Sequence, residues 1–342
     1  MFLDTNAIES SSYLKSLAKE VLKEYNIFPE DISIIQSGSI KTVWKIKFNN
    51  KTLCLKRLRQ SYDKASFSVQ AQIYVKNSGG KVPGVILTSN NEAILKHNEQ
   101  LFVLYQWLEG KALNFNTASD LRSAIKGLAA FHLASKGYTP TEACRISSKV
   151  SKWPSQYESM LKKLMLWKED SISKPNSPSH ASYLRVVDYM LNLGTKAQKL
   201  IADSNYNQLT KDSSLQVLCH QDYGTGNALI SKSEVLIIDL DGVTLDLSSR
   251  DLRKLILKAE EGYGRWQIGI LTDIIAWYEE VNPLTLEEKR ILYIDLLFPH
   301  RFYGLVKNLF INSKAMKASE IEKIANFEQS KLPLLEELLE KR

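Results

Sequence analysis

Four polar residues in the second half of the chain have the types and the spacing that phosphoryl transfer requires. His220, Asp222 and Asn227 form a His-x-Asp-x-x-x-x-Asn motif, and Asp239 follows the hydrophobic run 235–238. A nucleotide triphosphate repels an incoming hydroxyl, so a site must hold Mg²⁺ on the phosphates and orient the hydroxyl with a carboxylate. We therefore predict Asp222 as the catalytic base, with Asn227 and Asp239 as ligands of Mg²⁺.

The spacing of this motif has a mechanical reason. A tight loop of five residues can turn Asn227 back beside Asp222, and a β-hairpin then sets Asp239 opposite both. Gly224 and Gly226 supply the backbone freedom that such a loop needs. Protein kinases divide the work in the same way. The alternative is structural: the first two residues cap a turn, and Asp239 only ends a buried strand.

Three neighbours of the motif have different expected roles. A histidine at the start of such a loop is more often a structural hydrogen-bonding group than a proton carrier, so we give His220 a structural role. Asp241 is either a second metal ligand or an exposed acid. Asp251 opens a helical pattern behind the metal-binding strand, and we expect it to cap the helix or brace the loop.

A lysine at the end of a predicted strand is the candidate for contact with the α- and β-phosphates. Lys56 ends the alternating run 53–56. Gly38 and Ser39 lie one hairpin upstream, where a phosphate-covering loop belongs. A solvated lysine at a strand end is the alternative.

The helix glutamate that usually steadies a kinase lysine is missing. Between residues 57 and 91 the only acidic residue is Asp63, which precedes the predicted helix. We therefore expect Gln70 or Gln72 to serve as a neutral partner of Lys56, which weakens the electrostatic clamp.

The segment 101–110, a nearly continuous apolar run at 101–107 closed by Glu109 and Gly110, suits the strand that links the two lobes of a kinase. Its backbone can receive the edge of an adenine between apolar walls, so Tyr105 and Trp107 are predicted nucleotide contacts. An ordinary core strand is compatible with the same pattern.

The hydrophobic pattern changes period near residue 110. Before this point, alternating runs surround one helical pattern, and after it helical periods dominate. We expect an α+β, protein-kinase-like, two-lobed fold, with a small β-rich nucleotide-binding lobe at 1–109 and a larger, mostly helical catalytic and substrate lobe at 110–342. The expected elements of the small lobe are a leading helix that ends before Pro29, strands at 32–36, 42–48, 52–58, 82–88, 93–96 and 101–107, and a helix at 64–77.

Composition and charge disfavour several classes of protein. The 342 residues are 44% hydrophobic and carry a net charge of +7 that is spread along the chain. The densest basic stretch, 56–59, lacks the helix or aromatic platform of a nucleic-acid binder. The three cysteines form no Cys-x-x-Cys pair, so we expect a reducing compartment and neither a disulfide nor a zinc site. With no signal-peptide pattern and no membrane-spanning run, we expect a cytoplasmic protein.

Three segments carry a resemblance to a known family. They are Cys-His-Gln-Asp-Tyr-Gly-Thr-Gly-Asn at 219–227, Ile-Ile-Asp-Leu-Asp at 237–241 and Ser-Arg-Asp-Leu-Arg-Lys-Leu at 249–255. Together they resemble the CotS-related spore coat proteins of Bacillus-type bacteria, a branch of the aminoglycoside and choline kinase superfamily. The resemblance extends over nearly the whole chain.

The resemblance implies ATP and Mg²⁺ as cofactors, with Asp222 as base, Asn227 and Asp239 as Mg²⁺ ligands and Lys56 as the nucleotide lysine. It also implies synthesis in the mother-cell cytosol, deposition in the spore coat and contact with other coat proteins.

Two functions follow as hypotheses. The first is an ATP-dependent kinase that acts on a small hydroxylated metabolite or a saccharide, because the set Asp222, Asn227 and Asp239 is intact. The second is a pseudokinase that serves as a structural component of the coat, because the glutamate is missing. An aminoglycoside resistance enzyme is less favoured, since no dense acidic surface for a polycationic drug is evident in the sequence.

Overall fold

The structure is a computed structural model that describes residues 9–38, 41–142, 144–312 and 314–340. Its contacts divide the chain into two compact units, each built from three segments. Unit 1 takes its described residues from 1–113, 133–147 and 224–244. Unit 2 takes its described residues from 114–132, 148–223 and 245–342. Asp222 therefore belongs to unit 2 and Asn227 and Asp239 to unit 1, while the functional division after residue 109 stays a prediction.

An antiparallel sheet of six strands forms the frame of unit 1. The strands are β1 (Asp31–Ser37), β2 (Thr42–Phe48), β3 (Lys51–Leu58), β4 (Val85–Ile86), β5 (Leu95–His97) and β6 (Gln100–Gln106). Their order is β1-β2-β3-β6-β4, and β5 also pairs with β6. Asn49 and Asn50 make the β2–β3 turn with φ of 47° and 58°, a conformation that asparagine tolerates.

Two helices cover the two faces of this sheet. Helix α1 (Ser11–Lys23) is capped by Ser10, whose hydroxyl accepts the Tyr13 N–H at 3.2 Å. Its apolar stripe packs with Trp44 and the other side chains of one sheet face. Helix α2 (Tyr62–Asn77) packs on the opposite face through residues such as Val69. The sheet is thereby buried on both sides near its centre.

Five shorter strands form two smaller sheets. They are β7 (Lys111–Ala112), β8 (Gln216–Cys219), β9 (Ala228–Ser231), β10 (Glu234–Ile237) and β11 (Thr244–Leu247). In unit 1, β9 pairs with β7 and β10, so that the β9–β10 hairpin ends directly before Asp239. Strands β8 and β11 pair with each other.

Unit 2 is mostly helical, as its 3.6-residue hydrophobic periods predict. Its helices, with the last three residues of α3 in unit 1, are α3 (Ala118–Ser135), α4 (Trp153–Ile172), α5 (Pro178–Ala202), α6 (Tyr206–Lys211), α7 (Ser249–Tyr263), α8 (Ile268–Glu279), α9 (Leu286–Leu297), α10 (His300–Phe310), α11 (Ala318–Gln329) and α12 (Leu332–Glu340). Aromatic pairs such as Tyr157 and Phe298, whose ring centroids are 4.4 Å apart, fill the core.

One predicted strand is wrong over most of its length. The pattern at 82–88 predicted seven residues of strand, but only Val85–Ile86 pair with β6. Pro83, on the N-terminal side of this pair, has no N–H to donate to a ladder. In the part of the chain that the structure describes, no helix is both long and apolar enough to cross a lipid bilayer.

Candidate functional site

A cavity of about 670 Å³ lies within unit 1. One face of the large sheet forms part of its wall, because the two-residue period of β3 brings Cys54 and Lys56 to the same side, opposite Tyr105 and Val43. The volume lies within the range of about 300–1,000 Å³ that small-molecule sites occupy. The described residues that line it are Ile35, Gln36, Lys41, Val43, Cys54, Lys56, Gln72, Pro83, Tyr105, Gln106, Trp107, Leu108, Glu109, Gly110, Gly226, Asn227, Leu229, Ile238, Asp239, Leu240 and Asp241.

Two lysines and two aspartates form an ion cluster in this cavity. Lys56 Nζ lies 2.5 Å from Asp239 Oδ1 and 2.6 Å from Asp241 Oδ2. Lys41 Nζ lies 3.3 Å from Asp239 Oδ2 and 3.8 Å from Asp241 Oδ2. Both carboxylates are therefore shared between two ammonium groups, and their side chains are only 33% and 25% exposed.

The environment keeps these groups charged. Burial opposes the charge of Lys56, but the carboxylates of Asp241 and Asp239 outweigh it and raise the pKa of the ammonium. Burial would raise the pKa of Asp239, but Lys56 and Lys41 outweigh it and hold that pKa below its ordinary value. Lys56 and Asp239 are thus both ionised at neutral pH.

The prediction that Gln70 or Gln72 is the partner of Lys56 is wrong. Gln72 Nε2 donates to the Pro83 carbonyl at 2.7 Å, and Gln70 Nε2 donates to Ser66 Oγ at 3.1 Å. The carboxylates of Asp239 and Asp241 take the place that a helix glutamate has in a typical kinase.

Asn227 and Asp239 stand at the base of the β9–β10 hairpin. The Asn227 carbonyl accepts the Ile238 N–H at 3.0 Å, which ties the start of the hairpin to the residue before Asp239. Asp239 adopts the left-handed conformation, with φ of 64°, which is uncommon for a residue other than glycine. Strained backbone of this kind concentrates at functional sites, where the surrounding structure holds it in place.

Tyr105 and Trp107 both line the cavity, on the strand predicted for adenine contact. Burial raises the pKa of Tyr105 far above its ordinary range, so its hydroxyl stays protonated. The Trp107 ring lies 4.6 Å from Lys45 Nζ. Gly110 follows, and a Cβ at that position would lie 2.9 Å from the Ile230 carbonyl oxygen, so only glycine fits against β9.

The predicted phosphate-covering loop is described only in part. The Gly38 N–H donates to the Lys41 carbonyl at 3.0 Å, directly before β2. Ser39 lies outside the described residues. Gln36 and Lys41 both line the cavity.

Asp222 lies in unit 2, and its side chain is exposed. The residues before it are held by Asp251, whose Oδ2 accepts the His220 N–H at 2.5 Å and whose Oδ1 accepts the Gln221 N–H at 3.1 Å. The residue after it, Tyr223, donates its hydroxyl to the Ala124 carbonyl on α3 at 2.7 Å. Asp251 therefore braces the loop, as the sequence predicted.

The buried ligands around Asp251 have the composition of a metal site, with ligand atoms of His132, Cys219 and Asp251 all within 4.8 Å. Their bonds indicate a structural cluster instead. His132 Nε2 donates to Asp251 at 3.3 Å, while its Nδ1 accepts the Tyr278 hydroxyl at 2.8 Å. Burial raises the pKa of the Cys219 thiol well above its ordinary value, so no thiolate is available at neutral pH, and the thiol donates to the Leu247 carbonyl.

A second pocket, of about 430 Å³, lies within unit 2. Phe115, Tyr263 and Trp277 give it aromatic walls, while Lys258 and Asp273 bring opposite charges. The Phe115 ring also contacts Tyr223, with centroids 5.6 Å apart. Phe115 therefore both lines this pocket and packs against Tyr223, the residue that follows Asp222.

The comparison with known proteins agrees with this architecture. Residues 18–338 match the family model described as "Spore coat putative kinase YutH". The chain belongs to this family. Spore coat protein S of Bacillus subtilis (strain 168) is 25% identical over 332 residues, which cover 95% of each chain. The family resemblance predicted from the three motifs is confirmed.

The solved structures confirm the fold class. An aminoglycoside phosphotransferase from Alicyclobacillus acidocaldarius superposes with a TM-score of 0.75 at 17% identity, over 94% of this chain and 96% of the other. The amicoumacin kinase hAmiN, in complex with AMP-PNP, Ca²⁺ and Ami, superposes with a TM-score of 0.61 at 13% identity, over 94% and 96%. The family member described here thus has the two-lobed, kinase-like fold that was predicted.

Sequence reasoning missed one residue of the ion cluster. Lys41 was not among the predicted phosphate contacts, although it contacts Asp239 and Asp241 as a second cation beside Lys56. The signal was its position directly after the glycine-containing turn at 37–40, before a strand.

Proposed function

We propose that this protein is a Mg²⁺-dependent kinase that transfers the γ-phosphate of ATP to a hydroxyl of a small molecule or saccharide. The observation that carries this proposal is the cavity of unit 1, in which Lys56, Asp239 and Asn227 come together although they are far apart in sequence. The amicoumacin kinase of the same fold holds AMP-PNP and Ca²⁺, which supports a nucleotide and a divalent cation here.

The oxygen donors of the cavity fit Mg²⁺. Asp239 and Asp241 offer carboxylate oxygens and Asn227 offers an amide oxygen, and Mg²⁺ prefers such ligands together with phosphates. When bound, the ion would neutralise charge on the phosphates and so let a hydroxyl approach.

The residues of the chain have separate tasks in this proposal. Lys56 contacts the α- and β-phosphates, and the strand that carries Tyr105 and Trp107 receives the adenine. The turn at Gly38 and Ser39 covers the phosphates through its backbone N–H groups. Asp222 accepts the proton of the acceptor hydroxyl, since an exposed carboxylate at the end of a braced loop can reach a substrate.

The acceptor is proposed to bind in the second pocket. Aromatic walls with an amide, an ammonium and a carboxylate suit a ring with several hydroxyls. Because Lys258 stands in the pocket, a polycationic aminoglycoside is a poor candidate.

The deciding experiment is thermal unfolding of the purified protein with and without ATP and Mg²⁺. Ligand at one hundred times its Kd stabilises the native state by about 2.7 kcal/mol. With an unfolding entropy of about 0.7 kcal/mol/K for a chain of this length, the melting temperature should rise by about 4 °C.

The rise should need Mg²⁺, disappear in Asp239→Asn and persist in Asp203→Asn, an exposed aspartate in unit 2. Absence of any rise at saturating nucleotide would refute the proposal. Asp222→Ala should retain the rise but lose at least 100-fold in turnover with an acceptor, because it removes the base and not the nucleotide site.

A second candidate function is a pseudokinase that acts as a building component of the spore coat. Two observations favour it: the relative is spore coat protein S, and Lys56 is paired with the proposed metal ligand instead of a helix glutamate. In this case the protein is made in the mother cell and binds other coat proteins. Asp222→Ala protein should then assemble into the coat normally, and failure of this variant to assemble would count against a purely architectural role.

A further inference from the structure

Lys41 is a cation directly before β2, and the proposed function gives it no role. The Lys41 backbone carbonyl accepts the Gly38 N–H. Its side chain is 22% exposed and lines the cavity. One backbone hydrogen bond thus ties Lys41 to Gly38, while its side chain reaches the carboxylates of Asp239 and Asp241.

The ion cluster is balanced in charge as it stands. Asp239 and Asp241 bring two negative charges, and Lys41 and Lys56 bring two positive charges. The two lysines are not equivalent, because the Lys56 side chain is 8% exposed with contacts of 2.5 and 2.6 Å, whereas Lys41 has contacts of 3.3 and 3.8 Å. Lys41 is therefore the more easily displaced of the two.

Loading the site changes this balance. A divalent cation on Asp239 supplies the positive charge that Lys41 now supplies, and the two positive charges then repel each other. A nucleotide triphosphate brings about four negative charges, of which one divalent cation neutralises two. Two lysine ammonium groups neutralise the remainder, and each has three donors suited to phosphate oxygens.

We propose that Lys41 is a second phosphate-binding lysine, which neutralises Asp239 and Asp241 in the empty site and moves to the β- and γ-phosphates when nucleotide binds. This inference rests on the proposed nucleotide site. Under this proposal, the segment before β2 contacts the nucleotide through the Lys41 side chain as well as through backbone N–H groups.

The test compares Lys41→Met with Lys47→Met, which changes an exposed lysine on β2, the strand that follows Lys41. Isothermal titration gives the Kd of Mg-ATP and of AMP, and electron paramagnetic resonance gives the Kd of Mn²⁺ alone. Lys41→Met should weaken Mg-ATP by 10- to 100-fold and AMP by less than 3-fold, because AMP lacks the β- and γ-phosphates. It should also tighten Mn²⁺ by 3-fold or more without nucleotide, because the competing ammonium is gone.

The control Lys47→Met should change each constant by less than 2-fold, and Lys41→Arg should recover most of the affinity for Mg-ATP. If the unchanged protein binds no nucleotide, the proposed function itself fails. Two other results would refute the role of Lys41 while the nucleotide site stands. In the first, Lys41→Met binds Mg-ATP as tightly as the unchanged protein. In the second, Lys41→Met loses affinity for Mg-ATP and for AMP to the same extent. Circular dichroism of each variant verifies the fold.

Discussion

Replacing Asp251 with asparagine tests whether a buried carboxylate holds the loop in front of the proposed base. Asp251 is 1% exposed, and its two oxygens accept the backbone N–H groups of His220 and Gln221 together with Nε2 of His132. Asparagine has one acceptor oxygen and an NH₂ group in place of the second. At least one donor of the loop then faces another donor in a buried site.

The magnitude follows from the charge and from the hydrogen bonds. Burial by itself would raise the pKa of Asp251, but the hydrogen bond from His132 and the nearby charge of Lys254 contribute to outweighing it and lower the pKa to about 2. A shift of nearly two units from the ordinary value is worth about 2 kcal/mol in favour of the ionised form. A buried donor without an acceptor costs a further 1–3 kcal/mol or so. Together these two contributions predict that Asp251→Asn lowers the free energy of unfolding by about 3–5 kcal/mol.

Urea-induced unfolding, followed by circular dichroism and tryptophan fluorescence at pH 7, measures this loss. The control is Asp203→Asn at an exposed position, which should change stability by less than about 0.5 kcal/mol. Because the folded-state pKa of Asp251 is depressed, its stabilisation is complete above the unfolded pKa of about 3.8 and is lost as the pH falls towards 2. The difference between the two proteins should therefore shrink in this interval. A loss at pH 7 no larger than that of the control would refute the brace.

Three further predictions concern buried groups. Lys331 is fully buried, and its ammonium contacts the Phe298 carbonyl and the Glu328 carboxylate. In urea unfolding, Lys331→Met should lower the free energy of unfolding by about 3–5 kcal/mol, because it leaves the Glu328 charge buried without its partner. The double variant with Glu328→Gln should recover part of this loss. Burial raises the pKa of Glu260 to about 7. The free energy of unfolding should therefore fall by roughly 1–3 kcal/mol as the pH rises from 4.5 to 7, because the carboxylate must then ionise in a buried site. Glu260→Gln should abolish this pH dependence in thermal unfolding. Burial also raises the pKa of the Cys54 thiol to about 11. Labelling of Cys54 by iodoacetamide, measured by mass spectrometry, should therefore be slow at pH 7, accelerate as the pH rises towards 11, and slow again when Mg-ATP is added. Fast labelling at pH 7 would contradict the buried environment of this thiol.

The elements of the fold were largely predictable because their signals are local. Helix α1, with its Ser10 cap, and the Asn49–Asn50 turn follow from patterns within a dozen residues. The strand predicted at 82–88 formed only at Val85–Ile86, on the C-terminal side of Pro83. The discontinuous units were not predictable, because the return of 224–244 to unit 1 depends on pairing between β7 and β9.

Candidate site residues divide in the same way. The motif that contains Asp222 and Asn227 is readable because it lies within one loop. The partner of Lys56 is not, since Asp239 lies 183 residues away in sequence. The glutamine prediction assumed that a partner must come from the nearest helix, whereas the β9–β10 hairpin delivers two carboxylates.

By itself, the sequence determined the periods of the helices and strands, the phosphoryl-transfer motif, the absence of a helix glutamate and the family. These properties depend on residue types at short spacing, which a linear pattern preserves. Only the tertiary structure decided that Lys41 and Lys56 share Asp239 and Asp241, and that Asp251, for which the sequence left helix capping and loop bracing open, holds the loop before Asp222. Such contacts depend on strand register and helix packing, because ion pairs and buried hydrogen bonds form between side chains that folding, and not chain order, brings within about 3 Å.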